Sequence, residues 1–89
     1  MFTSWGVETS RKFTKEELEK KLSSLSDNLR FGTVLRAKGV VCGEGGKWLH
    51  FDYVPAEINV REGTADYTGR LCVIGSKIDE EELKELFLS

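Results

Sequence analysis

The sequence predicts an α+β domain: a four- to five-stranded antiparallel sheet with two helices packed on one face, in the order β-α-β-β-β-β-α. Three observations predict it. Two short amphipathic segments open with the same start signal, Thr14-x-x-Glu17 and Asp79-x-x-Glu82. Two arms that alternate apolar with polar residues, 36–42 and 47–54, flank the cluster Gly43-Glu44-Gly45-Gly46. Further alternating stretches follow at 57–61 and 67–74. One apolar stripe per helix and one apolar face per strand leave the second face of the sheet open.

Each element has a local reason. Residues 2–8 read as a strand. Residues 13–26 read as a helix in which Thr14 is the N-cap, Glu17 completes the capping box, and Phe13 and Leu18 occupy the staple positions. Leu18, Leu22 and Leu25 recur at i, i+4 and i+7 and define its buried stripe. Ser26-Asp27-Asn28 ends it. In the hairpin, Leu35, Ala37, Gly39 and Val41 are expected inward on one arm, with Leu49, Phe51 and Tyr53 on the other. A one-residue slip would bury Lys38 and Asp52 and expose Phe51, so alternation selects this phase. Pairing Val41 with Leu49 sets Lys38 opposite Asp52, a cross-strand ion pair of about 0.2–1 kcal/mol. Pro55 ends the strand. Ile58 and Val60 are expected inward in the next one, and Leu71 and Val73 in the last. Ile78 staples onto Leu83 at the second helix, where Leu83, Leu86 and Phe87 face the sheet.

A chain of 89 residues makes one domain, 1–89. It buries about 60% of its unfolded surface, which favours one modest core over a deep catalytic cleft. The formal charge of −2 gives no general pull toward nucleic acid. No apolar run reaches the roughly 18 residues of a membrane span. No secretion signal opens the chain, so a cytoplasmic location is expected. Met1 leads almost directly into strand sequence, as in a domain cut from a longer chain. Two cysteines, Cys42 and Cys72, are too few for a disulfide framework and are expected as buried thiols.

The polar face of the hairpin carries the unusual chemistry. Arg36, Lys38, Cys42, Trp48, His50 and Asp52 all point to one side, and a purely structural strand rarely needs that mixture. The glycine cluster joins two strands rather than a strand and a helix, so it is a hairpin turn and not a phosphate loop. Cys42, His50 and Cys72, with Asp52 or Asp66 nearby, are the weak candidates for a metal site. Their spacing matches no Cys-x-x-Cys or His-x-x-x-His pattern, and no metal site is assigned. Trp48 beside Lys47, Arg36 and Lys38 has the chemistry of an open RNA-binding sheet, but the aromatic motif of such sheets is absent and nucleic acid is not the expected partner. His50 has no serine or cysteine partner in a nucleophile turn, so no enzyme activity is expected of this chain.

Four segments together resemble the C-terminal domain of CobW-type GTPases, the metal-chaperone and cofactor-assembly G proteins. They are Arg36-Ala37-Lys38-Gly39, Trp48-Leu49-His50-Phe51-Asp52-Tyr53-Val54-Pro55, Gly69-Arg70-Leu71-Cys72-Val73-Ile74-Gly75 and Ile78-Asp79-Glu80-Glu81-Glu82-Leu83. The resemblance covers Phe2 to Phe87. It implies a small α+β accessory domain that follows an N-terminal P-loop GTPase domain, with residues 1–89 excised from the longer protein. It also implies that GTP, Mg and Zn or Co belong to the parent protein and no cofactor to this domain. The sequence holds no Gly-x-x-x-x-Gly-Lys-Ser/Thr motif and no cysteine cluster. The implied partners are the GTPase domain of the same chain and a client metalloprotein, met through Arg36, Lys38, Trp48, His50, Asp52 and Arg70. Two other readings remain at this stage: an autonomous metal-binding domain, and a free-standing nucleic-acid or small-ligand module.

Overall fold

Both helix starts form, and one differs in detail. The computed structural model describes residues 1–88. Thr14 caps α1 (Lys15–Ser24): its hydroxyl accepts the Glu17 N–H at 3.0 Å, and the Glu17 carboxylate accepts the Thr14 N–H at 3.4 Å. Asp79 starts α3 (Glu80–Leu88) by accepting the Glu82 N–H at 3.1 Å. Glu82 does not close the second box. Its carboxylate accepts from Arg30 Nε at 2.6 Å instead. Arg30 belongs to α2 (Asn28–Phe31), a single turn not expected from the sequence, which begins at the expected helix end, Ser26-Asp27-Asn28. Asp27 caps this turn with hydrogen bonds from the N–H groups of Leu29 and Arg30. The turn drives Phe31 into the core, and the Phe31 carbonyl accepts the Asp79 N–H at 3.0 Å.

The strands are β1 (Thr3–Thr9), β2 (Lys12–Phe13), β3 (Thr33–Gly43), β4 (Trp48–Val54), β5 (Glu57–Gly63) and β6 (Gly69–Ser76). Their order across the sheet is β1-β6-β3-β4-β5, with every neighbour antiparallel. The two-residue β2, absent from the sequence reading, runs parallel to the end of β3, with Lys12 beside Cys42. It takes up the flank of β3 beyond Val40, where pairing with β6 stops. The last strand begins at Gly69 rather than Tyr67, whose side chain is 99% exposed.

The helices and the core share one side of the sheet. Leu18, Leu22 and Leu25 of the first helical segment and Leu83 and Phe87 of α3 are fully buried against Ala37, Val41, Phe51 and Val73. Lys21 Nζ donates to the Leu86 carbonyl at 2.7 Å and joins the two helices. The expected hairpin register holds: Val41 pairs with Leu49, and Lys38 with Asp52.

Three expectations fail for local reasons. Leu35 faces solvent and Val34 is buried, because a one-residue β-bulge between Val34 and Arg36 resets the alternation. Ile58 lies on the core face opposite Tyr53 but is 36% exposed near the start of edge strand β5. Neither cysteine is in the core. Both thiols are free and half-buried on the open face, because residues 42 and 72 take the outward phase of their strands.

Candidate functional site

The open face is ordered in rungs that run across all five antiparallel strands. One rung reads Gly6–Cys72–Lys38–Asp52–Asn59 from β1 to β5, and the next reads Glu8–Arg70–Val40–His50–Arg61. Side chains of one rung lie on one face because the strand period is two. All of these residues except Asn59 line an open depression of about 580 Å³. It is low toward β1 and β6, where Gly6 and Cys72 are small. A Cβ on Gly6 would meet nothing closer than the Leu71 carbonyl at 3.7 Å.

The six residues expected as the interaction surface are all on this face, and the register splits them. Lys38, His50, Asp52 and Arg70 line the depression. Arg36 lies beyond one end of it, and Trp48 beyond the other, paired with Cys42 and Gly63. Gly6, Glu8 and Arg61 also line the depression and were not among the expected residues. Arg61 was legible as an outward residue of its strand. Gly6 and Glu8 were not, because only the pairing of β1 with β6 brings the chain start to Arg70 and Cys72.

The charges are paired in a way the sequence did not foretell. Lys38 sits opposite Asp52 but does not bond to it. Asp52 Oδ1 takes Arg36 Nη2 at 3.4 Å, and Oδ2 takes Arg61 Nη1 at 3.2 Å. Arg70 Nη2 is 3.3 Å from Asp66 Oδ1. Among the described residues, Lys38 has no ion-pair partner. It is an exposed, uncompensated cation at the centre of the face.

His50 has a positional role. Its Nε2 lies 2.9 Å from the Thr64 carbonyl, which can only accept, so the ring donates Nε2–H there. The ring lies flat over Gly63, where a Cβ would come within 2.5 Å of it. His50 thereby ties β4 to the end of β5.

The metal candidates do not converge. Cys72 stands opposite Lys38, and Cys42 is four residues farther along the same strand. That separation is about 13 Å along the strand. Zinc–thiolate bonds of about 2.3 Å cannot span it. Among the described residues no group of three or more His, Cys, Asp or Glu side chains stands where a metal could be held. The glycine cluster is a hairpin turn, as expected: Gly45 and Gly46 take φ of 85° and 84°, and the Gly43 N–H donates to the Lys47 carbonyl at 2.6 Å. Among the described residues no helix is long and apolar enough to cross a membrane.

Comparison with known proteins places this geometry. The chain is similar in structure to the Zn(II)-bound YjiA GTPase from E. coli, with a TM-score of 0.77 and 22% sequence identity. It is equally similar to a Zn(II)-bound triple mutant of YjiA GTPase, with a TM-score of 0.79 and 22% identity. In both cases 98% of this chain is covered and 29% of the other, so the chain spans under a third of the length of those GTPases. At that identity the likeness establishes the fold. No curated protein matches the chain in sequence. The family described as "Cobalamin synthesis protein cobW C-terminal domain" matches residues 2–89, nearly the whole sequence. A sheet with helices on one side, an open charged face on the other and a family match end to end lead to one assignment: the chain belongs to the CobW C-terminal domain family.

Proposed function

We propose that this domain is a non-catalytic accessory domain of a CobW-type metal-chaperone GTPase. It docks through the open sheet face on the GTPase domain of the same chain and biases that domain's nucleotide states. The carrying observation is the uncovered face itself, whose depression is lined by Lys38, Arg61 and Arg70 around a floor of small residues. A monomeric sheet with one face packed and one solvated is ordinary. A polar, unevenly charged face is compatible with docking, because non-obligate interfaces are no more apolar than the rest of a protein surface.

The division of labour is part of the same proposal. The sequence has no phosphate-binding motif and no metal ligands converge among the described residues; in this proposal GTP, Mg and Zn or Co belong to the rest of a cytoplasmic parent protein. A client metalloprotein is the second partner in this reading. The physical logic is population shift: a domain that binds one nucleotide state better stabilises that state by the difference in affinity.

The test compares the full-length protein with a version truncated before this domain. GTP turnover and the affinities for GTP and GDP are measured for both. The expected result is retained hydrolysis in the truncated protein with a changed ratio of GTP to GDP affinity. Identical turnover and identical affinities would reject the proposal.

A further inference from the structure

We infer that the depression seats an acidic segment of the GTPase domain, with one carboxylate on Lys38 and a neighbouring side chain in the gap over Gly6. This inference rests on the docking reading above and adds the chemistry of the contact.

Three observations carry it. Lys38 is central in the sheet, exposed, and without an ion-pair partner among the described residues, because Arg36 and Arg61 have taken Asp52. The depression is lined by three cations, Lys38, Arg61 and Arg70, against two anions, Glu8 and Asp52, in a chain whose overall charge is −2. The charge of the depression is therefore opposite in sign to that of the whole domain, and charge complementarity selects an acidic partner. Two strands from Lys38, on the far side of Cys72, the missing side chain of Gly6 leaves room on edge strand β1 that a side chain of the partner can enter.

The shape favours a protein over a small molecule. A small ligand buries most of its surface in its site, and this depression lies open on a sheet face. Nucleic acid is disfavoured because Trp48 lies outside the depression and the domain is net acidic.

Cys72 supplies the probe. Its half-buried thiol sits on the floor beside Lys38, so a seated segment shields it. The experiment uses the full-length protein and N-ethylmaleimide, with modification of Cys72 followed by peptide mass mapping. Small-angle scattering on the same samples reports whether the domains are docked. Lys38→Glu is expected to speed Cys72 modification roughly tenfold or more relative to wild type, while Lys38→Arg leaves it slow. Loss of a neighbouring cation by itself lowers the thiolate fraction and slows the thiol. A faster rate therefore reports uncovering and not altered reactivity.

If the wild-type domains are docked but Cys72 reacts at the Lys38→Glu rate, the inference is overturned and docking stands. Shielding that persists in Lys38→Glu overturns it equally. If scattering shows independent domains in the wild type, the docking reading fails and this inference fails with it.

Discussion

Lys38 and Asp52 are directly opposed in the β3–β4 ladder, yet no ion pair joins them. Asp52 gives one oxygen to Arg36 and the other to Arg61, from one neighbouring strand on each side. Register decides which residues face each other. Side-chain length and competition decide which of them bond. Both arginines reach diagonally across the sheet to the same carboxylate, and Lys38 keeps its charge for solvent.

Lys38→Ala is therefore expected to leave stability unchanged within about 0.5 kcal/mol, as for an exposed residue with no specific partner. Asp52→Ala loses two exposed pairs and is expected to cost about 1 kcal/mol or less. Urea denaturation of the three proteins checks both values. A large loss in Lys38→Ala would mean that Lys38 is structural.

Gly6 and Gly39 are both strand glycines, and their substitutions are expected to act in opposite directions. A Cβ at Gly39 would stand 2.8 Å from Phe51 Cε2 and 2.5 Å from the Arg70 carbonyl. Gly39→Ala overpacks the core side and is expected to cost about 1–3 kcal/mol. Gly6→Ala enters open space and is expected to add about 0.5–1 kcal/mol by restricting the unfolded chain. Thermal midpoints of the two variants, one below and one above wild type, are the check.

Ala56 holds φ of 68° in the tight turn after Pro55. An L-residue pays sterically for this left-handed backbone, and glycine does not. Ala56→Gly is expected to stabilise by about 0.5–1 kcal/mol even after the added freedom of the unfolded chain. An unchanged or lower urea midpoint would show that the turn carries no such strain.

The α1 cap makes stability depend on acid. Burial pushes the Glu17 carboxyl up. The Arg11 hydrogen bond and charge, the Thr14 N–H and the charge of Lys21 outweigh it and hold the group below its ordinary value. A carboxyl lowered by folding contributes stability above its unfolded value, about 4.3. That contribution is lost as pH falls through the folded value. Glu17→Gln is expected to be less stable than wild type near about pH 7, and the difference is expected to shrink as pH falls below about 4.3. Thr14→Ala removes the other half of the box and is expected to cost about 1 kcal/mol. Denaturant titrations of both proteins at neutral and acid pH test the narrowing.

Much of the fold was legible because its signals are local. The Thr14–Glu17 box, the leucine spacing of the first helix and the Gly43–Gly46 turn each involve residues a few positions apart, and each forms as read. The hairpin register was legible because burying Phe51 and exposing Lys38 is possible in only one phase. What was missed depends on partners distant in sequence. The bulge that turns Leu35 outward arises where β3 pairs with β6, more than thirty residues away. Glu82 abandons its own capping box for Arg30 because α2 and α3 meet in space.

The candidate site divides along the same line. The sequence by itself determined that Arg36, Lys38, Trp48, His50 and Asp52 share one face, since alternation needs nothing beyond the strand. It determined the family as well, through segments whose order and spacing are linear properties of the chain. Tertiary structure alone decided that Gly6 and Glu8 join the site, that Cys42 and Cys72 stand apart, and that Lys38 is left uncompensated. These outcomes depend on strand order and on competition among charges brought together by folding. Neither is encoded in any one strand's pattern, because each is a property of pairs that exist only once the sheet has formed.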